Sequence, residues 1–381
     1  MQKLSENQKY QLAFNSFQKF GPVKMRLIEN YFPNIKTAFY SSIFDLEKAG
    51  LSPNLIKKFI DWRKAYNIEE AIKELRIENI KIITWHDAQY PNLLLELPAP
   101  PPLLYYIGDI SILNSKKYFL AIVGSREHSA YANKVISELV PPLVDENIVV
   151  VSGLAYGVDT LAHQETLVNY GITVAVLGCG LKADYIYPYE NRGLAKEIIK
   201  NNGLLISEFP PKTAPLPMNF PQRNRIIAGL SQATLVVESK IKSGALITAY
   251  QALDQNREVL AVPGNIFSEF SQGPNNLIKR GAKVILNSED ILEVFKLSYV
   301  KTETKKNGYI KTNKKKTINF QDEAEKLIYL LIKNASEKCE KINYDEIAKN
   351  SKLDTATINS KLSILEISDL IKNEFGNYSL Y

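Results

Sequence analysis

Residues 118–126 read YFLAIVGSR, an apolar, β-rich run followed directly by small and cationic residues. Similar runs recur along the central part of the chain, separated by helix-like segments of about 10–15 residues. They are IVVVS (148–152), ITVAVL (172–177), LLIS (204–207), ATLVVE (233–238) and EVLAVP (258–263). Such runs alternating with helices are typical of a parallel sheet covered on both faces. The pattern therefore predicts an α/β fold with a Rossmann-like, mostly parallel sheet core over residues 79–297.

An all-helical domain is predicted before this core, over residues 1–78. Residues 5–75 show helical spacing of apolar positions, interrupted by Gly21-Pro22. Within them, FGPVKMRLIENYF (20–32) is similar to a SAM-like or helix-hairpin-helix element, whose glycine-bearing turns can present backbone amides to a phosphate. A plain packing module is the alternative. The proline-rich stretch Tyr90–Pro102 cannot continue a helix and predicts an ordered connector.

A basic linker is predicted after the core, over residues 298–319. Residues 301–316 hold seven Lys and one Glu, a net charge of +6 that equals the formal net charge of the whole chain. The stretch shows neither helical nor strand periodicity. Two interpretations are open: the stretch is a solvated tether, or it attracts phosphate weakly and without sequence preference.

Residues 320–381 predict a winged-helix domain at the C-terminal end. Three helix-like segments follow one another there, at 321–334, 342–350 and 354–366. In a DNA reader the third helix would face the major groove, yet it offers a single base, Lys361. Contact with another protein is therefore an equal alternative to groove reading.

Composition excludes several classes of protein. With 45% hydrophobic and 23% charged residues, the chain can bury a sizeable core and is neither disordered nor collagen-like. Two cysteines exclude a Cys-rich zinc module and argue against a disulfide scaffold. No stretch approaches the roughly 18 consecutive apolar residues of a membrane span, and the N-terminus lacks the apolar segment of a signal peptide. We therefore expect a cytoplasmic protein with no membrane partner.

The ends of the predicted strands carry residues that suit an anion. Gly124, Ser125 and Arg126 follow the first run, and Ser152 and Gly153 end the second. Glycines expose backbone amides, and the helix N-termini that follow favour negative charge.

Nucleotide cofactors are not expected. Residues 178–183 match the permissive dinucleotide-binding pattern, but they follow the third strand, and Asp184–Pro188 stands where a long helix should begin. The dipeptide Gly-Lys is absent, which removes the P-loop.

Acid–base and metal chemistry have few candidates, because the chain has three histidines. Asp159 and His163 are four residues apart and could pair on one helix face. The simpler interpretation is that Asp159 caps the start of the helix and His163 packs beside it. Two candidate ligands without a third do not make a metal site, so neither a metal nor a catalytic residue is predicted.

The sharpest local signal is FPQRNRIIAGLS (220–231), where an aromatic residue, two arginines and an amide stand at the start of a predicted helix. This combination offers base stacking and charge-assisted contacts to a sugar–phosphate backbone. Arg223 and Arg225 lie about 200° apart on a helix, so one of them is expected to be structural, pairing with an acid such as Glu208 or Glu238.

A second phosphate contact is predicted at KSGALITA (242–249), where a helix opens beside Lys240 and Lys242. As an alternative, Ser243 is merely the helix cap. We expect these segments to converge at one sheet edge. The predicted nucleic-acid-binding residues are Gly124, Ser125, Arg126, Ser152, Gly153, Phe220, Arg223, Asn224, Arg225, Lys242, Ser243 and Gly244.

In their order along the chain these motifs resemble the DNA-processing protein A family, also called DprA or Smf. The matches include VGSR (123–126), SGLAYGVD (152–159), YP (187–188), FPQRNRIIAGLS, KSGALITA and GPNNLIKRGA (273–282). The resemblance implies a core that binds single-stranded DNA, forms homodimers and loads the recombinase RecA during natural transformation, without catalysis. It also implies that Arg126 clamps the DNA backbone, while Phe220 stacks a base and Lys242 adds charge. Tyr156 stands where many family members have Arg, which replaces a phosphate contact with an aromatic face.

Two other functions stay open at this point. The sheet also resembles the lysine-decarboxylase-like phosphoribohydrolases, which cleave nucleotides with a Glu from a PGGxGTxxE loop. The equivalent loop here, IKSGALITA (241–249), lacks the second glycine and the acid. The third option is a structural adaptor that acts through the winged tail.

Overall fold

The structure is a computed structural model that describes residues 3–297, 322–337, 342–351, 353–367, 370–374 and 377–380. The chain divides into two compact units, residues 1–301 and 302–381. The predicted linker over 298–319 lies outside the described residues. The finer domain boundaries at residues 78 and 319 stay predictions.

The first unit begins with helices, as the apolar spacing predicts. They are α1 (Glu6–Ser16), α2 (Pro22–Tyr31), α3 (Ile35–Tyr40), α4 (Ile43–Lys48), α5 (Pro53–Ala65) and α6 (Ile68–Ile77). Ser5 and Gln8 form a capping box at the start of α1, and Pro22 occupies the first position of α2, where its missing N–H costs nothing. An aromatic core surrounds Phe14 and Phe59, whose rings stack with centroids 5.1 Å apart.

These helices pack directly on the sheet. Leu12 of α1 and Leu75 of α6 share a hydrophobic cluster with the buried ring of Tyr105. The Tyr105 hydroxyl donates to Asn15 Oδ1 at 2.9 Å. The helical region and the sheet therefore belong to one compact unit.

One nine-stranded sheet dominates the first unit. Its strands are β1 (Lys81–Thr84), β2 (Leu103–Gly108), β3 (Phe119–Val123), β4 (Val149–Ser152), β5 (Thr173–Val176), β6 (Leu204–Ser207), β7 (Ala233–Val236), β8 (Glu258–Ala261) and β9 (Lys283–Val284). They lie in the order β1-β2-β6-β5-β4-β3-β7-β8-β9. The strands from β3 to β9 pair in parallel, whereas β1 with β2 and β2 with β6 pair antiparallel. The mostly parallel sheet is confirmed, and its antiparallel edge is an addition to the prediction.

Helices cover both faces of the sheet. They are α7 (Asn92–Leu95), α8 (Ile112–Ser115), α9 (Ala130–Asp145), α10 (Val158–Val168), α11 (Arg192–Lys200), α12 (Asn219–Gly229), α13 (Gly244–Asp254), α14 (Gln272–Lys279) and α15 (Ser288–Val294). Successive residues of β3 alternate between two cores. Leu120 and Ile122 pack with α9, α10 and α15, while Ala121 and Val123 pack with α12 and α13.

The strand order reverses between β3 and β7. From β3 the chain adds β4, β5 and β6 on one side and then returns to add β7 and β8 on the other. The loops that leave neighbouring strands at such a reversal diverge, which opens a crevice beyond the carboxyl ends of the strands. The loops after β3 and β7 flank this crevice.

The second unit contains a small three-stranded antiparallel sheet and helices that pack on it. The described elements are α16 (Glu323–Glu337), β10 (Ile342–Asn343), α17 (Tyr344–Ser351), α18 (Thr355–Ile367), β11 (Ile371–Glu374) and β12 (Asn377–Leu380), with strand order β10-β12-β11. Ile328, Ile347 and Leu365 are buried in its core. The three predicted helices are present, and the assignment as a winged helix stays a prediction.

Candidate nucleic-acid interface

A cleft of about 630 Å³ lies at the crevice between β3 and β7. Most of the residues predicted from the sequence line it, and those are Gly124, Ser125, Arg126, Phe220, Arg223, Asn224, Lys242, Ser243 and Gly244. Ser152, Gly153 and Arg225 are not among the lining residues. We call Arg126, Phe220, Lys242, Ser243 and Gly244 the rim, and Ser152, Gly153, Asp159, His163 and Arg223 the floor. Contact of these residues with nucleic acid stays a prediction.

The loop after β3 is held on two sides, which fixes the place of Arg126. The Ser125 amide donates to Glu238 O at 2.7 Å, and Ser125 O accepts from the Val158 amide at 3.1 Å. Gly157 has a φ of 75°, and a Cβ at this position would come within 2.2 Å of Ser125 O. Glycine is therefore required for the loop and α10 to approach this closely. Arg126 itself is exposed, with its guanidinium carbon 5.3 Å from the centroid of Phe220.

Arg223 lies in the floor and is 4% exposed. Its guanidinium donates to Gly153 O at 2.6 Å and to Val176 O, so it ties the loop after β4 to the end of β5. A Cβ on Gly153 would lie 2.6 Å from the guanidinium, which explains the glycine. Burial lowers the pKa of Arg223, and attraction to Asp159 opposes that shift.

Arg225 faces a different environment from Arg223. It forms an ion pair with Glu208 and donates to Ala99 O at 2.7 Å. This confirms the expectation that one of the two arginines pairs with Glu208 or Glu238. Glu238 instead accepts from the Ser129 amide at 2.9 Å, at the start of α9.

Asp159 does not cap α10, so that expectation is wrong. The cap position belongs to Gly157, and Asp159 is the second helical residue, within the first turn of α10. Its carboxylate accepts from the Gly153 amide at 3.0 Å and from the Ala155 amide at 3.4 Å. Burial raises the pKa of Asp159, while Arg223 and these amides oppose the shift. Ser152 is buried as well and donates to Ile122 O at 2.7 Å.

His163 is buried and packed, as the simpler interpretation predicts. The Thr173 hydroxyl donates to Val150 O at 2.8 Å, so the His163 Nδ1–H donates to Thr173 Oγ1 across 2.7 Å. His163 Nε2 has no hydrogen-bond partner within the described part of the chain. Burial, with a smaller contribution from Arg223, lowers the pKa of His163 to about 3. The imidazole is therefore neutral at pH 7.

The start of α13 supplies the other side of the rim. Ser243 Oγ accepts from the Ala245 amide at 3.3 Å, so Ser243 does cap the helix. Gly244 is exposed and has open space where a Cβ would lie. Lys242 is exposed and forms no ion pair among the described residues. Asn224 donates to Gly244 O at 3.2 Å and links α12 to α13.

Lys240 and Tyr187 line the cleft but are not among the predicted nucleic-acid-binding residues. Lys240 lines the cleft, but its Nζ lies 3.4 Å from Glu127 and 3.5 Å from Glu269, and these acids raise its pKa. Tyr187 also lines the cleft, between the rings of Tyr156 and Phe220. The tyrosine of the YP pair at 187–188 was the available signal.

Metal and membrane sites receive no support from the described structure. No group of three His, Cys, Asp or Glu side chains in residues 3–297 or in the described parts of the tail could hold a metal ion. The same residues contain no helix that is long and apolar enough to cross a membrane.

A doubly wound sheet whose switch-point cleft combines cations, an aromatic ring and a helix N-terminus has the features that suit phosphate-bearing ligands. The chain belongs to the DNA-processing protein A family. Its residues 81–296 match the family model described as DNA recombination-mediator protein A.

Relatives and solved structures agree with this assignment. The DNA processing protein DprA of Bacillus subtilis is 42% identical over 249 residues, which cover 65% of this chain and 81% of the relative. Protein Smf of Synechocystis is 38% identical over 291 residues, covering 76% and 72%. The X-ray structure of DprA from Streptococcus pneumoniae superposes with a TM-score of 0.65 at 32% identity, covering 77% of this chain and 98% of that one. DprA from Helicobacter pylori, solved for its single-stranded DNA binding mode, gives a TM-score of 0.51 at 29% identity, covering 56% and 95%.

Proposed function

We propose that this chain binds single-stranded DNA in the switch-point cleft, shields incoming DNA and passes it to RecA during natural transformation. The observation that carries the proposal is the meeting of Arg126, Phe220 and the N-terminus of α13 in one cleft. A relative with a matching fold has a described single-stranded DNA binding mode. Unpaired bases offer π-faces and phosphates together, which is what an aromatic and cationic cleft recognises.

Each rim residue has a distinct role in this proposal. Arg126 clamps a phosphate, because it is exposed and has no acidic partner among the described residues. Lys242 and the amide of Gly244 contact a neighbouring phosphate, where the helix dipole favours negative charge. Phe220 stacks a base. The floor residues, Arg223 above all, hold the ends of β4 and β5 in place beneath the strand of DNA.

The proposal assigns no catalysis to the cleft. Its lining acids are Glu127, which pairs with Lys240, and Asp159, which is buried and bonded to backbone amides. Neither matches the loop glutamate of the phosphoribohydrolases. Release of free base from a panel of nucleotides would restore that alternative.

Homodimer formation and transfer to RecA rest on family membership. In this proposal the tail is a winged helix that contacts another protein and does not read a DNA groove. Lys361, its single base on the third helix, pairs with Asp322 at 2.5 Å, and 14% of its side chain is exposed. Light scattering of the purified chain measures the dimer. RecA filament assembly on protein-coated oligonucleotides measures the transfer.

Titration of the chain with oligo-dT at several salt concentrations tests the core of the proposal. We expect tight binding. The logarithm of the binding constant should fall linearly with the logarithm of salt concentration, with a slope of about −0.7 per phosphate contacted. A duplex of equal length is expected to bind more weakly, because its bases are stacked on one another and cannot stack on the aromatic side chains of the cleft. Absence of binding at low salt would overturn the proposal.

A further inference from the structure

The aromatic side of the cleft contains a second ring beside Phe220. Tyr187 lines the cleft, is 37% exposed and has its ring centroid 5.9 Å from that of Phe220. The two ring planes differ by 51°. One flat nucleobase therefore cannot lie against both rings, and each ring offers its own surface.

Tyr187 is held in place from its other side. The ring of Tyr156 meets it edge-on, at 6.3 Å and 80°. The Tyr156 hydroxyl donates to Glu190, and that hydrogen bond raises the pKa of Tyr156 to about 12. Asn191 donates to Leu154 O at 2.8 Å, which ties the segment after Tyr187 to the loop after β4. The ring is thus positioned before any ligand arrives.

The two rings differ in what lies over them. The guanidinium carbons of Arg126 and Arg223 lie 5.3 and 5.9 Å from the centroid of Phe220. Among the described residues, no Arg or Lys lies over Tyr187 in this way. The ring of Tyr187 is therefore open to a base. A base can stack on Phe220 once the Arg126 side chain leaves that ring to contact a phosphate.

We propose that Tyr187 forms a second base-stacking subsite, so that the cleft takes two adjacent unpaired nucleobases with their planes splayed apart. This inference rests on the proposed function of the cleft. Stacking on a ring face is open to all four bases, so the subsite selects for unpaired polynucleotide and not for sequence. A duplex cannot supply two splayed neighbours without losing its stacking.

The first experiment needs no variant. Short oligo-dT strands, each with one abasic position, are titrated into the wild-type chain in turn. We expect two adjacent positions at which the missing base weakens binding by about 5- to 150-fold. A single sensitive position, or none, would overturn the inference.

The second experiment assigns the subsite to its ring. Tyr187→Leu is expected to lose about 5- to 150-fold in affinity for oligo-dT and to leave only one sensitive abasic position. Tyr187→Phe keeps the ring and is expected to restore both. The salt dependence should be unchanged in Tyr187→Leu, because stacking neutralises no phosphate, whereas a distorted cleft would alter it. Tyr170→Leu is the matched control, because Tyr170 is 93% exposed beyond the far end of α10.

The outcomes distinguish a failure of this inference from a failure of the proposed function on which it rests. If the wild-type chain fails to bind oligo-dT, the proposed function fails and the subsite with it. If the wild type binds and Tyr187→Leu binds equally well with both positions still sensitive, the function stands and the subsite is wrong.

Discussion

The floor and the rim of the cleft use their arginines differently. Arg223 in the floor is 4% exposed and donates to the carbonyls of Gly153 and Val176, so its guanidinium is bonded within the folded chain. Arg126 in the rim is exposed and lies over Phe220 without an acidic partner among the described residues. Two cations that line one cleft can therefore serve separate purposes: Arg223 holds the site in shape, and the proposed function assigns Arg126 to the ligand.

Arg223→Leu is the strongest test of this comparison. The substitution leaves two buried carbonyls unpaired and the charge of Asp159 uncompensated, so we expect a loss of about 3–5 kcal/mol in unfolding free energy. Urea unfolding followed by tryptophan fluorescence measures it. Both tryptophans of the chain, Trp62 and Trp85, lie in the first unit and report on its unfolding.

The matched control for that experiment is Arg126→Leu, which should change the unfolding free energy by less than about 0.5 kcal/mol. A loss below about 1 kcal/mol for Arg223→Leu would show that the floor does not depend on its guanidinium.

Arg126→Ala is expected to weaken DNA binding and to leave stability unchanged, in contrast to the loss of stability expected for Arg223→Leu. Affinity for oligo-dT should fall by about 1–3 kcal/mol, and the salt dependence should lose about one phosphate contact. The urea concentration at the midpoint of unfolding should be unchanged. Arg76→Ala removes an exposed arginine from α6 and serves as the control for general charge. Unchanged affinity and salt dependence in Arg126→Ala would remove this residue from the rim.

The sequence predicted the parallel strands because their Val, Ile and Leu runs are continuous and buried on both faces. It did not predict β1 and β2. β2 follows directly on the prolines that were interpreted as a connector. Both pair antiparallel, and that pairing depends on residues far away in the chain.

The rim was predictable for a similar reason, and the floor was not. Arg126 and Lys242 follow the ends of β3 and β7, so strand order alone brings them together. The side of α12 on which Arg223 lies depends on how the helix packs. The pairing of Lys240 with Glu127 joins residues 113 positions apart, which no local pattern reveals.

The pH dependence of stability tests the floor through His163. Burial holds its folded-state pKa at about 3, below the ordinary value of 6.5. Between these values the unfolded chain binds a proton that the folded chain does not, so stability falls as the pH is lowered. We expect His163 to account for a loss of about 1.3 kcal/mol between pH 7 and pH 5.5.

His163→Gln identifies the source of that loss. This variant has no titrating group at the position, so its unfolding free energy should change less between the same two pH values, whatever its stability at pH 7. Equal pH dependence in the variant and the wild type would show that another group is responsible.

The smallest expected effect concerns Lys240, a cleft cation that two acids partly neutralise. Its Nζ lies 3.4 Å from Glu127 and 3.5 Å from Glu269. Glu127→Gln removes one of these acids and also a negative charge next to Arg126. Affinity for oligo-dT should therefore rise about two- to fivefold, and the salt dependence should steepen. Glu138→Gln, on the exposed face of α9, makes the same change in net charge away from Lys240. Equal gains in the two variants would show that only net charge matters and that Lys240 does not contact the DNA.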